Sequence, residues 1–167
     1  MWPLLGQAIV ADRKNAWRFE HMLGDKYSFG NQNPNPAAMT LPENMLLAWA
    51  HAHPDVAPAF LAAIVPALTS RNPDAGEQTW HPMMKCLLDE FGDREDVLRA
   101  LTRNMCTFGW TGSRATYFAL YSGPLRELQS HPIGAVRRWA EKMGAHFERE
   151  IAAARNEDAE LHAHWDM

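Results

Sequence analysis

Cysteine is scarce in this sequence. Its two cysteines, Cys86 and Cys106, lie 20 positions apart and form no CxxC motif. A disulfide-stapled fold or a zinc ribbon needs more cysteines at closer spacing. Both cysteines fall in apolar stretches with helical patterning, so we expect buried free thiols in a reducing compartment.

An excess of positive charge and a long hydrophobic run are also missing. The formal net charge is -4, which gives no general attraction to a nucleic-acid backbone. Asp12, Arg13 and Lys14 interrupt the N-terminal apolar segment well before the roughly 18 residues that span a bilayer, and no basic leader precedes it. We expect a soluble, cytoplasmic protein with no membrane partner.

Sequence motifs of catalysis are missing as well, since there is no GxSxG elbow, no P-loop and no dinucleotide fingerprint. Gly112, Ser113 and Arg114 stand at a predicted helix start, where free amides and a guanidinium can bind an anion. Ordinary N-capping by Ser113 is the alternative that we favour. We therefore predict no catalytic residue and no cofactor, and a binding protein in preference to an enzyme.

Eight histidines raise the question of a metal site. They include two H-x-H pairs and one His–Glu pair at i, i+4 spacing: His51 with His53, His162 with His164, and His146 with Glu150. On a helix, side chains two positions apart point roughly 200° apart, which is poor geometry for joint ligation. We predict no metal ligand, and a metal-dependent hydrolase is kept only as the second alternative function.

The hydrophobic residues, 47% of the chain, recur with helical periodicity from end to end. We expect one all-α domain over residues 1–167, with an N-terminal helix and a Gly/Pro/Asn-rich loop in 1–39, helix pairs in 40–150, and a polar extension in 151–167. The helices are predicted at Pro3–Leu23, Leu41–His53, Asp55–Leu68, Trp80–Phe91, Asp93–Phe108, Ser113–Ser130 with a break at Gly123 and Pro124, and from Ile133 onward.

Side chains at several helix ends suit capping. Thr40 and Glu43 form a T-x-x-E capping box, and Thr79 and Ser113 can each cap the helix that follows. Gly92 is placed to end the helix before it.

One apolar pattern occurs three times. Val56, Val97 and Val136 are spaced by 41 and 39 residues. From each valine, apolar or small residues recur at offsets of 3, 4, 8 and 11, which lie on one helical face. The helix before each valine carries an aligned leucine: Leu46, Leu87 and Leu125.

Paired helices with a period of about 40 residues resemble HEAT or armadillo repeats, over roughly residues 40–150. The resemblance implies a right-handed α-solenoid of about three antiparallel helix pairs, in which stacking completes the core. HEAT repeats commonly carry a basic residue in the second helix, and the first repeat departs from this, because Pro58 stands where the second has Arg99.

The same alignment predicts a binding surface. Arg99 and Arg138 lie two residues after their valines, and Arg103 and Lys142 lie six after theirs. Stacked second helices would place these four residues, which we call the basic stripe, side by side on the concave surface of a HEAT-like solenoid. The alternative is a solvated face with local pairs such as Glu95 with Arg99.

We predict an interaction module, acting as an adaptor, subunit or inhibitor, that binds an acidic protein partner through the basic stripe. Arg114, and Tyr27 and Phe29 in the 24–38 loop, are further predicted contacts. The alternative is a nucleic-acid-binding protein, by analogy with HEAT-like DNA glycosylases. A thin apolar line, Ile151, Ala154 and Leu161, could dock the last helix on the body or form a homodimer.

Overall fold

A computed structural model of the protein describes residues 2–12, 14, 16–23, 40–70, 77–106 and 112–165. This part of the chain is all-helical, with one isolated bridge between Leu68 and Trp80. Its nine helices are α1 (Trp2–Ala11), α2 (Ala16–Leu23), α3 (Glu43–Ala52), α4 (Ala57–Ile64), α5 (Pro82–Phe91), α6 (Glu95–Cys106), α7 (Arg114–Ala119), α8 (Ser122–Leu128) and α9 (Gly134–Trp165). Across these described ranges, no helix is both long and apolar enough to cross a bilayer.

The N-terminal segment forms two helices, so the single helix predicted over Pro3–Leu23 is wrong. α1 ends at Ala11, and Asp12 donates a last backbone hydrogen bond to Ala8. Ile9 is fully buried and Phe19 packs against the same core. Ten residues apart on one straight helix, these side chains would point roughly 80° apart, so the break lets both helices face the body.

Helix starts are less well predicted than helix faces. The residue before α3 is Pro42, which has no side-chain oxygen, so the capping box predicted at Thr40 does not cap this helix. Thr79, the predicted cap of α5, bonds to Thr69 beside the isolated bridge. His81 caps α5 instead, because its Nδ1 accepts from the Met83 amide at 3.2 Å.

The caps predicted at Ser113 and Gly92 are confirmed. Gly92 is also required for packing. A Cβ at this position would lie 2.5 Å from Val136 Cγ2 and closer still to the carbonyl oxygen of Leu88. The end of α5 and the start of α9 therefore approach at a distance that only glycine permits.

The predicted apolar faces form the core. Leu46, Leu87 and Leu125 are buried, as are Val97 and Val136. The residues at the predicted offsets, in α4, α6 and α9 and at Ala67 just after α4, are buried or half-buried, except that Phe108 lies outside the described residues. Val56 is only half-buried, because it stands at the N-cap of α4 and not within the helix.

Hydrogen bonds between helices, some buried and some at the surface, connect residues about one sequence period apart. One set joins α3, α5 and α8 or their ends, and the other joins α4, α6 and α9 or their ends. The partners are 37 to 44 positions apart: Arg94 to the Pro54 carbonyl, Trp80 to the Pro124 carbonyl, Lys85 to Glu127, Asp89 to His131, Asn104 to the Ala62 and Val65 carbonyls, and Thr102 to Trp139 and Met143.

The last helix packs on the body well beyond the predicted repeats. α9 lies along α7 and α8, and Ala154 is buried while Ile151 is half-buried. Leu161 stays exposed. Ile151 and Ala154 thus dock on the chain itself. Homodimer formation through α9 stays a prediction.

Candidate functional site

The four residues of the basic stripe are all exposed, on α6 and α9. These two helices meet through Thr102, whose hydroxyl accepts a hydrogen bond from the Trp139 indole nitrogen at 2.9 Å and lies 3.8 Å from Met143 Sδ. Thr102 is five residues after Val97, and its two neighbours are three and seven residues after Val136. Offset five on α6 therefore contacts offsets three and seven on α9, as expected if the two helices pack in the register that the valines predict.

The two cations on α6 already have acidic partners. Arg99 Nη2 lies 2.6 Å from Glu95 Oε1 in the predicted i, i+4 pair, and both side chains are largely exposed. Arg103 Nη2 donates to both carboxylate oxygens of Glu20, at 3.1 and 3.0 Å. Glu20 belongs to α2 and is 83 positions away, so the sequence alignment could not identify it. An ion pair as exposed as Arg99–Glu95 stabilises a fold by at most about 1 kcal/mol, whereas the Glu20 side chain is mostly buried.

The two cations on α9 differ from those on α6. Within the described part of the chain, no ion pair involves Arg138 or Lys142. Neighbouring Arg137 is used structurally, since its Nη1 donates to the carbonyls of His131 and Pro132. The α9 half of the basic stripe is thus the more available for an external anion.

A cleft of about 380 Å³ opens beside the α6 half of the basic stripe, between α2, the start of α4, and α6. Its inner surface is apolar and includes the buried ring of Phe60. Charged side chains of both signs line its rim. The lining residues are Ala16, Glu20, Asp55, Val56, Ala59, Phe60, Asp96, Arg99, Ala100 and Arg103.

Acidic and basic side chains alternate along the cleft. At one end, Arg94 forms a 2.7 Å ion pair with Asp96. The hydrogen bond to Asp96, with a smaller contribution from Asp55, raises the pKa of Arg94, while the Arg94 hydrogen bond lowers the pKa of Asp96. Arg94 also donates to the Pro54 carbonyl. Arg99 and Arg103 follow about one and two turns further along α6, where Glu95 and Glu20 already pair with them.

Arg114 lies in a different environment from the basic stripe. Its guanidinium is within 3.7 Å of Glu150 and 3.6 Å of Glu157, and it lies over the Phe118 ring. Glu150 is eight residues beyond Lys142, which is about 12 Å along a helix. The structure therefore does not bring Arg114 to the basic stripe.

The predicted anion site at Ser113 is surrounded by acidic groups. Ser113 caps α7, accepting from the Ala115 amide at 3.2 Å, and its hydroxyl donates to Asp158 at 2.5 Å. With Glu150 and Glu157 on the adjacent arginine, this end of α7 repels an added anion. Its residues instead fasten α7 to α9.

Two predicted contacts are not placed. Tyr27 and Phe29, with the whole 24–38 loop, lie outside the described residues. Their assignment as partner contacts stays a prediction.

The described histidines have structural contacts. His51 lies 2.8 Å from Glu90, and buried His131 lies 2.9 Å from Asp89. Among the residues that the structure describes, no three His, Cys, Asp or Glu side chains converge as a metal site would require. The side chains of His162 and His164 lie outside that set.

The cysteines are free thiols, but neither is fully buried, so the prediction of two buried thiols is wrong. Cys86 is half-buried and Cys106 is exposed at the end of α6. Burial, and next the nearby carboxylate of Glu90, raise the pKa of Cys86. A raised pKa lowers the thiolate fraction at neutral pH and so argues against a reactive cysteine at this position.

Comparison with known proteins adds no assignment: no family model, curated protein or solved structure matches this chain.

Proposed function

We propose that this chain is a HEAT-like interaction module that binds an acidic segment of a partner protein through the basic stripe. The observation that carries the proposal is the contact of Thr102 with Trp139 and Met143, because it aligns α6 with α9 at the predicted offsets. On that alignment we expect Arg99 to lie level with Arg138, and Arg103 level with Lys142.

The HEAT-like arrangement is supported by the hydrogen bonds between residues one period apart. Asn104 reaches from α6 to the end of α4, and Thr102 reaches from α6 to α9, so α6 contacts a second helix on each side. Lys85 and Asp89 of α5 similarly contact Glu127 and His131, in and just after α8. Two parallel rows of helices are what stacked pairs of a solenoid form.

An acidic peptide fits this surface better than nucleic acid does. The basic stripe holds four cations, of which two already face a carboxylate, and the cleft beside it carries Glu20, Asp55 and Asp96. A duplex presents continuous negative charge, so its phosphates would be repelled by these three carboxylates. A short acidic segment can contact the cations without approaching the carboxylates.

Selection from a displayed random-peptide library tests the proposal while the natural partner is unidentified. We expect enriched peptides to be acidic. Reversal of two charges in Arg138→Glu with Lys142→Glu should weaken their binding about tenfold or more. The matched control is Arg126→Glu with Arg155→Glu, which changes the net charge equally at exposed positions of α8 and α9.

Two results would overturn the proposal. One is enrichment of neutral or basic peptides, and the other is equal weakening by the control pair. A salt-dependent mobility shift of duplex DNA, abolished by the same Arg138 and Lys142 reversal, would favour the nucleic-acid alternative instead.

A further inference from the structure

Glu20 occupies the basic stripe from within the same chain. Its carboxylate lies on Arg103, and its side chain is only 17% exposed. It is carried by α2, which lies outside the predicted repeats and packs on α4. The contact is thus the one that an acidic residue of a partner would make with Arg103.

The adjoining cleft can accept an apolar side chain. Val56, Ala59, Phe60 and Ala100 supply apolar surface in the same cleft as Arg99 and Arg103. Its volume of about 380 Å³ is at the small end of the range for ligand pockets, roughly 300–1,000 Å³. One or two side chains fit, and a large cofactor does not.

The polarity of the cleft fixes how such a ligand would lie. Asp55 and Asp96 lie beside Arg94, and Arg99 and Arg103 follow about one and two turns further along α6. A partner's carboxylate is favoured only at Arg99 and Arg103, where it competes with Glu95 and Glu20. A neighbouring apolar side chain would then enter over Phe60.

We propose that the cleft anchors an apolar side chain adjacent to an acidic residue of the partner, and that Glu20 is a built-in competitor for Arg103. This inference rests on the proposed function and specifies it further. Partner binding displaces Glu20 from Arg103, so the affinity for an acidic-apolar segment is held below the value that the arginines alone would give. The α9 half of the basic stripe has no such competitor among the described residues.

Fluorescence polarisation with two labelled octapeptides tests the inference. One peptide has two central leucines flanked on each side by three glutamates, and the other has serines in place of the leucines. We expect the leucine peptide to bind more tightly than the serine peptide. Glu20→Gln should tighten binding of the leucine peptide at least about three- to fivefold, the factor that corresponds to loss of one surface ion pair.

Glu90→Gln is the matched control, because Glu90 forms an ion pair with His51 away from the cleft. It should bind both peptides as the wild type does. In an Arg103→Gln background the gain from Glu20→Gln should vanish, since the two effects are coupled through one contact. Ala59→Trp, which fills the cleft, should remove the preference for leucine. If that variant does not fold, the Arg103→Gln comparison decides.

The possible failures are distinguishable. Equal binding of the two peptides, or no gain from Glu20→Gln, overturns the inference. If the peptides still bind the wild type and Arg138→Glu abolishes their binding, the proposed function survives. No binding of either peptide to any variant, Glu20→Gln included, overturns both.

Discussion

Asn104 offers the sharpest test of how α4 and α6 are held together. Its side chain is 4% exposed, and its amide nitrogen donates to the carbonyls of Ala62 at 2.9 Å and Val65 at 2.7 Å. The last four carbonyls of a helix have no partner within that helix. Asn104 therefore supplies, from one helix, the hydrogen bonds that the end of the neighbouring helix needs.

Replacing Asn104 with alanine removes both hydrogen bonds and leaves buried carbonyl oxygens behind. Each bond contributes about 1 kcal/mol net, and an unsatisfied buried acceptor costs about 1–3 kcal/mol. We expect Asn104→Ala to lower the free energy of unfolding by about 3 kcal/mol. For a chain of this size, Tm should fall by roughly 6–12 °C.

The measurement is urea denaturation followed by far-UV circular dichroism, supported by a thermal scan. Arg99→Ala is the control, because it makes the same replacement at an exposed position of the same helix and should change stability by no more than about 0.5 kcal/mol. A loss below about 1 kcal/mol for Asn104→Ala would refute the reasoning, since water would then be satisfying those carbonyls.

Three further predictions concern packing, pH and the α6–α9 contact. Gly92→Ala should destabilise the fold by about 1–3 kcal/mol in urea denaturation, because a Cβ would collide with its neighbours. Gly144→Ala, in open space within α9, should instead stabilise it by up to about 1 kcal/mol, and equal effects would refute the close approach at Gly92. Burial lowers the pKa of His81 below its usual 6.5, so the unfolded chain takes up this proton first and stability falls as the pH drops below that value. His81→Asn keeps the cap and should lose less stability between about pH 7 and pH 5, and an unchanged pH dependence would contradict this. Thr102→Val and Trp139→Phe should show a coupling of about 0.5–1.5 kcal/mol in a double-mutant cycle, whereas additive effects would exclude their hydrogen bond.

The sequence predicts the helical faces well because burial follows the helical period. The three aligned leucines and two of the three valines are fully buried. The start of α5 could not be predicted, because Thr79 is a better cap by residue type than His81. A tertiary contact holds Thr79 against Thr69, beside the Leu68–Trp80 bridge, and α5 begins after His81.

The site was harder to predict than the core. The basic stripe follows from an alignment of helices, which local periodicity defines. Its pairing with Glu20 depends on how α2 folds back over α4 and α6, and nothing in the sequence around Glu20 specifies that path. The break between α1 and α2 has no local sequence signal either, since neither glycine nor proline stands between Ala11 and Ala16.

Mapping an acidic peptide onto the protein by NMR tests the central claim most directly. Amide chemical-shift changes on titration with the leucine octapeptide should cluster around Arg99 and Arg103 on α6 and around Arg138 and Lys142 on α9. Shifts confined to another surface, such as α1 and α3 or the end of α9 beyond Glu150, would contradict the account.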